Sequence, residues 1–185
     1  GMPGVRAWGD RYSKSFEQCA VESSEQEKAA NNGELEPVVN VLALSGGGAE
    51  GAFGAGILCG WTKAGTRPRF KLVTGISTGA LMAPFAFLGS AYDEQLERVY
   101  TTISSDDIYQ PYGPVAILLS LANFKALPSM ADSRPLAQLV ARMIDADVMD
   151  KVAQEHLKGR RLLMGTTQLD AQRLVIWNMG AIAVS

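Results

Sequence analysis

One histidine, two cysteines and no excess of basic residues together remove several functions from consideration. Cys19 and Cys59 stand forty positions apart with no Cys or His partner close by, so neither a disulfide framework nor a zinc site is expected, and no metal. Seventeen lysines and arginines against 19 aspartates and glutamates leave a net charge of −2. A nucleic-acid-binding chain carries a basic surplus, and no nucleic-acid partner is expected here. The longest apolar run, residues 113–124, is broken by Ser120 and Asn123 and falls short of the roughly 20 apolar residues that span a bilayer. No charged-then-apolar leader opens the chain, which leaves a cytoplasmic protein and a mature exported or envelope-associated one both open.

Hydrophobic residues make up 47% and charged residues 19% of the 185, a composition that buries a sizeable core in one domain, with room for an extension. Residues 1–36 are polar, and 22–33 are charged, amide-rich and closed by Gly33. They read as an N-terminal extension or a surface helix outside the core. Residues 37–185 read as the domain proper. Residues 38–44 form a short β-branched apolar run, expected to be a strand buried on both faces. A helix is expected over 49–64, a second strand over 70–74 and an apolar helix over 80–88. Amphipathic helices follow over 93–102, 134–144 and 147–158, then paired strands over 161–167 and 173–177. Strand, helix, strand, helix with short joins argues for parallel strands in an α/β sheet.

Two glycine motifs sit at the ends of the first two strands. The first, Ser45-Gly46-Gly47-Gly48-Ala49-Glu50-Gly51, contains a formal G-x-G-x-x-G, the nominal dinucleotide fingerprint. That fingerprint also requires an acid at the end of the second strand, and residues 70–74 carry none. Nucleotide binding through residues 46–51 therefore stays a minor alternative. The second motif, Gly75-Ile76-Ser77-Thr78-Gly79, is a G-x-S-x-G between a strand and a helix. In that context a sharp turn presents the serine above the sheet edge, and flanking glycines let neighbouring backbone pass. Acyl transfer needs such a nucleophile and also backbone N–H donors aimed at an oxyanion, which consecutive glycines opening a helix supply.

A nucleophilic serine needs a proton acceptor. His156 lies near the end of a charged helix, ordinarily a solvated position, and no aspartate between Ser77 and His156 stands out as its partner. A Ser-Asp dyad, in which a carboxylate takes the serine proton directly, becomes the better arrangement.

On these residues the sequence resembles the patatin-like phospholipase family. Residues 42–51 are similar to its glycine-rich oxyanion loop, and residues 75–80 to its nucleophile elbow, with thirty positions between Gly47 and Ser77. Residues 166–170 resemble a later segment of bacterial members. The resemblance implies a three-layer α/β/α fold on a mainly parallel sheet. It makes Ser77 the catalytic nucleophile, Gly46, Gly47 and Gly48 the oxyanion hole, and Gly75 and Gly79 the elbow glycines. It implies no cofactor, acyl esters of lipids or phospholipids as substrates, and contact with a membrane surface. A protein that binds lipid without catalysis is the competing class.

Two positions depart from the family pattern. Glu50 stands where members often carry arginine, and its side chain is expected to face away from the oxyanion loop. None of the nine aspartates precedes a glycine, whereas the family's catalytic aspartate opens an Asp-Gly pair. Asp170 precedes Ala171 and is expected to serve a turn between strands. The catalytic aspartate is accordingly expected beyond Ser185, with this chain the N-terminal part of the domain and weakly active or inactive alone. Residues 112–124 suit a lid or a buried helix, and Met82, Phe85 and Phe87 suit core packing or an acyl pocket.

Overall fold

The computed structural model describes residues 4–102, 110–111, 131–132 and 134–185. Two compact units are distinguished, one of Gly1–Thr101 with Ala146–Ser185, the other of Thr102–Asp145. The first unit opens with β1 (Arg6–Trp8), α1 (Lys14–Ala30), β2 (Val41–Leu44), α2 (Gly51–Lys63), β3 (Leu72–Ile76), α3 (Thr78–Leu88) and α4 (Asp93–Thr102). In the second, β4 (Gln110–Pro111) pairs antiparallel with β5 (Ala131–Asp132), and α5 (Arg134–Met143) follows. The first unit resumes with α6 (Ala146–Leu157), β6 (Arg161–Gln168), β7 (Arg173–Asn178) and the short α7 (Met179–Ala183). The segment 112–124, with its lid-or-core reading, lies outside the described residues.

Five strands form one sheet in the order β1-β7-β6-β3-β2. β2, β3 and β6 run parallel, while β7 is antiparallel to both β6 and β1. Chain connectivity dictates these directions. Parallel neighbours require a crossover, supplied by α2 between β2 and β3, whereas β6 and β7 are joined by four turn residues and can only form a hairpin. The expected strands at 161–167 and 173–177 are therefore present as this hairpin.

Two adjacent arginines show how the layers are arranged. Arg160 Nε donates to Phe70 O at 2.7 Å and its Nη2 to Phe87 O of α3 at 2.5 Å. Arg161, next along, turns to α1, where Nε donates to Cys19 Sγ at 3.1 Å and Nη2 to Gln26 Oε1 at 2.9 Å. Successive side chains of an extended segment point to opposite faces, so α3 and α1 cover opposite faces of the sheet. The result is an α/β fold with helices around a mainly parallel sheet. Its core gathers Val73, Leu162, Val152 and Leu96 with Met82, Phe85 and Phe87 of α3, all at most 3% exposed. α3 is apolar on all sides because it is buried on all sides.

Two sequence expectations are corrected. Among the described residues β2 is an edge strand of alternating exposure that pairs with β3 alone, with Val41 55% exposed; its β-branched run reflects strand propensity rather than burial on both faces. The polar segment 1–36 contributes a strand and a helix beside the sheet. β1 extends it along β7, and α1 is held by Ser23 Oγ donating to Gly159 O at 2.5 Å and by the Lys71–Glu27 ion pair. Gly159 has φ +86°, and an added Cβ would lie 2.7 Å from Glu27 N, so only glycine lets the turn before β6 meet α1. His156, expected in solvent, is 7% exposed. Its ring lies against Gly180 of α7, where a Cβ would come 2.5 Å from the ring Cγ.

Candidate active site

β3 ends at Ile76 and α3 begins at Thr78, so the chain must turn from strand to helix within Ser77. Ser77 takes φ 53° and ψ −126°, a conformation that costs a non-glycine residue on the order of 1–3 kcal/mol and persists only where its surroundings enforce it. The enforcing contacts are backbone. A Cβ on Gly75 would lie 2.5 Å from Gly79 O and 2.8 Å from Ala80 Cα. A Cβ on Gly79 would run into Leu44 O and come 2.7 Å from Ser45 O, at the end of β2. The two glycines thus let the helix start fold back on its own strand and pass the neighbouring one. Ala80 N donates to Ser77 O at 2.9 Å, closing the first turn of α3.

The glycine loop after β2 meets this turn. Gly46 faces Ser77 directly; an added Cβ would lie 2.9 Å from Ser77 Cβ and 3.5 Å from Oγ. Gly48 has φ +56°, and Glu50 N donates to Gly47 O at 3.1 Å as the chain winds into α2. Thr78 Oγ1 donates to Gly48 O at 3.1 Å and so ties elbow to loop. From α4, Tyr100 OH donates to Thr78 O at 3.1 Å. Tyr100 is pushed up to about 12 by burial, and stays a neutral donor. Gly51 is needed because a Cβ there would collide with Thr78 and with Tyr100 Cε1, at 2.6 Å. Ser77, Gly46, Gly47, Gly48 and Glu50 are all exposed.

The structure brings together Gly46, Gly48, Gly75, Ser77 and Gly79, and adds Thr78 and Tyr100, which the sequence reading missed. Thr78 stood inside the G-x-S-x-G motif as its unspecified position. Tyr100 gave no signal, because only the packing of α4 brings it to the elbow. His156 is at the other end of the sheet. It precedes β6, whose first residue Arg161 pairs with Leu72, whereas Ser77 follows Ile76, the partner of Gly165. At about 3.3 Å per residue the two ends of β3 are separated by more than 12 Å. Asp170 lies in the exposed β6–β7 turn, on the carboxyl edge. Among the described residues, Ser77 Oγ has no hydrogen-bond partner.

Residues 42–174 match the family model for patatin-like phospholipase. The chain belongs to the patatin-like phospholipase family. The match spans both glycine motifs and the two residue pairs of the β6–β7 hairpin nearest its turn. No curated protein and no solved structure matches the chain. Within a patatin-like phospholipase, a lipid acyl hydrolase family, the elbow and the glycine loop meet where parallel β2 and β3 both end, and α3 directs the positive end of its dipole there.

Proposed function

We propose that this patatin-like protein is a serine acyl hydrolase of lipid esters, with Ser77 as nucleophile and the N–H groups of Gly46, Gly47 and Gly48 as oxyanion donors. The observation that carries the reading is the approach of Gly46 to a Ser77 held at φ 53°. A serine in this turn is exposed to an incoming acyl carbonyl, beside a loop whose amides no side chain shields. Ser77 Oγ bonds to the carbonyl carbon as its proton passes to a carboxylate in a Ser-Asp dyad. The oxyanion collapses, the lipid alcohol leaves with that proton, and water releases the acid from the acyl-enzyme by the same route. The hydrolase domain is taken as residues 37–185, with residues 1–36 adding a strand and a helix to it. Peripheral contact with a membrane surface brings the protein to its substrate.

The absence of a hydrogen bond to Ser77 Oγ among the described residues favours a second reading, a patatin-like protein that binds lipid without cleaving it. Nucleotide binding through residues 46–51 has less support, since the close packing of Gly46 and Gly51 on the elbow accounts for both without a pyrophosphate. Fatty-acid release from phosphatidylglycerol vesicles separates the first two. Measured on a protein that carries the expected carboxylate partner of Ser77, release that disappears in Ser77→Ala supports the hydrolase; vesicle binding by that protein with no release above the Ser77→Ala background supports the binder.

A further inference from the structure

Three successive carbonyls of the glycine loop are each held by a hydrogen bond. Gly46 O accepts from Ser45 Oγ, Gly47 O from Glu50 N and Gly48 O from Thr78 Oγ1, each at 3.1 Å. The first two donors belong to the loop itself. The third comes from the first residue of α3 and refers the loop to the turn that carries Ser77. A trans peptide is planar, so a carbonyl held to one side turns the N–H of the same peptide to the other. The held carbonyls of Gly46 and Gly47 therefore set the directions of the Gly47 and Gly48 amides, and the grip on Gly48 O anchors the end of that run. Packing does not do this work. Gly46, Gly47 and Gly48 are exposed, and a Cβ on Gly48 would meet nothing within 4 Å. Glycine takes φ of either sign with similar ease, so an untied Gly48, now at φ +56°, would let the peptide before it turn over. Turned over, that peptide offers Gly47 O where Gly48 N–H stood, an acceptor where an oxyanion needs a donor.

The side chain of Thr78 is seated for this task. Its methyl occupies the space that glycine leaves at position 51, where an added Cβ would collide with Thr78 Cγ2. Its own carbonyl is held from α4 by Tyr100 OH at 3.1 Å. With methyl and backbone fixed, the hydroxyl is left facing Gly48 O. A threonine inside a helix often spends its hydroxyl on the carbonyl four residues earlier. At the first position of α3 that residue is Thr74, in β3, and the hydroxyl goes to the loop instead. We propose that Thr78 is a positioning residue of the acyl-transfer site, its hydroxyl locking the glycine loop so that the Gly47 and Gly48 amides stay aimed at the oxyanion beside Ser77. The role rests on the reading of Ser77 as the nucleophile. It places the loss on removal in the step that forms the oxyanion, rather than in substrate binding.

The test is steady-state hydrolysis of p-nitrophenyl butyrate, and of its thiono analogue, by a protein that carries the expected carboxylate partner of Ser77. Thr78→Val keeps the shape of threonine and loses the donor. Its kcat on the ester should fall about tenfold, the scale of one hydrogen bond, with KM within about twofold of wild type. Sulfur is a weak acceptor, so the thionoester draws little on the amides and should lose much less. Thr78→Ser restores the donor and should return kcat to within about threefold of wild type. Ser23→Ala removes a buried hydrogen bond to Gly159 O, before β6, and should lower Tm while leaving both kinetic constants unchanged. Thermal unfolding by circular dichroism confirms that each variant is folded; if Thr78→Val is not, Thr78→Ala against Thr78→Ser carries the same comparison. A wild-type kcat in Thr78→Val, or an equal loss on ester and thionoester, overturns the proposal. A rise in KM at unchanged kcat makes Thr78 a substrate contact and overturns it too. Hydrolysis that survives Ser77→Ala removes the nucleophile instead, and the positioning role falls with it.

Discussion

Gly46 and Ser77, at the ends of two neighbouring parallel strands, approach so closely that a methyl group on Gly46 would lie 2.9 Å from Ser77 Cβ. Real Cβ atoms do not come that near a neighbour, so Gly46→Ala must displace either the serine or the loop. The account predicts a fall of about a hundredfold in the acylation rate of Ser77, the scale of a lost oxyanion donor. Gly48→Ala, where a Cβ meets open space and only φ +56° opposes it, should be milder. Stopped-flow acylation by an activated ester compares the two.

Gly79 is a folding residue. Its absent Cβ faces the Leu44 carbonyl and Ser45 O, backbone atoms that cannot rotate aside. Gly79→Ala is expected to cost about 3 kcal/mol, the upper range for forcing atoms into a packed site. Urea unfolding of the variant reads this as a lowered midpoint at unchanged slope.

Tyr100 supports the elbow from α4. Tyr100→Phe removes its bond to Thr78 O and should cost about 1 kcal/mol, with a severalfold loss of Ser77 reactivity and no change in its pH dependence. A general base would alter that pH dependence on removal, so the pH profile of Tyr100→Phe distinguishes support from chemistry.

Acid should weaken the fold in two stages. Burial, with a smaller contribution from the Arg161 charge, lowers His156 to about 4. The unfolded chain, with an ordinary imidazole near 6.5, therefore binds the proton first, and stability drains as pH falls from about 6.5 to 4. The loss is on the order of 3 kcal/mol. Burial alone would raise Glu155, but hydrogen bonds from Lys158, Arg69 and Arg160 overcome it and bring the carboxyl to about 2. Its contribution is present above the ordinary carboxylate range and drains from about 4.5 towards 2. His156→Gln should flatten the first stage only, as followed by thermal unfolding across pH.

What the residues disclosed in advance was local, and what they hid was long-range. Both glycine motifs were legible because a strand, a turn and a helix lie within ten positions and each glycine removes a nearby clash. The β6–β7 hairpin was legible from two β-rich runs with four residues between. The edge position of β2 was not, because strand order depends on which partner pairs with β3, and β6 arrives from more than eighty residues away. The burial of His156 depended on Gly180, and the place of α1 depended on Arg161 and Gly159; none of these leaves a periodic trace. The polar segment 1–36 hides its strand and helix for the same reason, since an outer strand and a half-exposed helix need little apolar sequence.

The central claim is that Ser77 is a nucleophile in an acyl-transfer site, and covalent labelling with a fluorophosphonate tests it most directly. Peptide mass mapping should place one adduct on Ser77, with no adduct in Ser77→Ala and slowed labelling in Gly46→Ala. An adduct on another residue, or equal labelling of wild type and Ser77→Ala, would contradict the account.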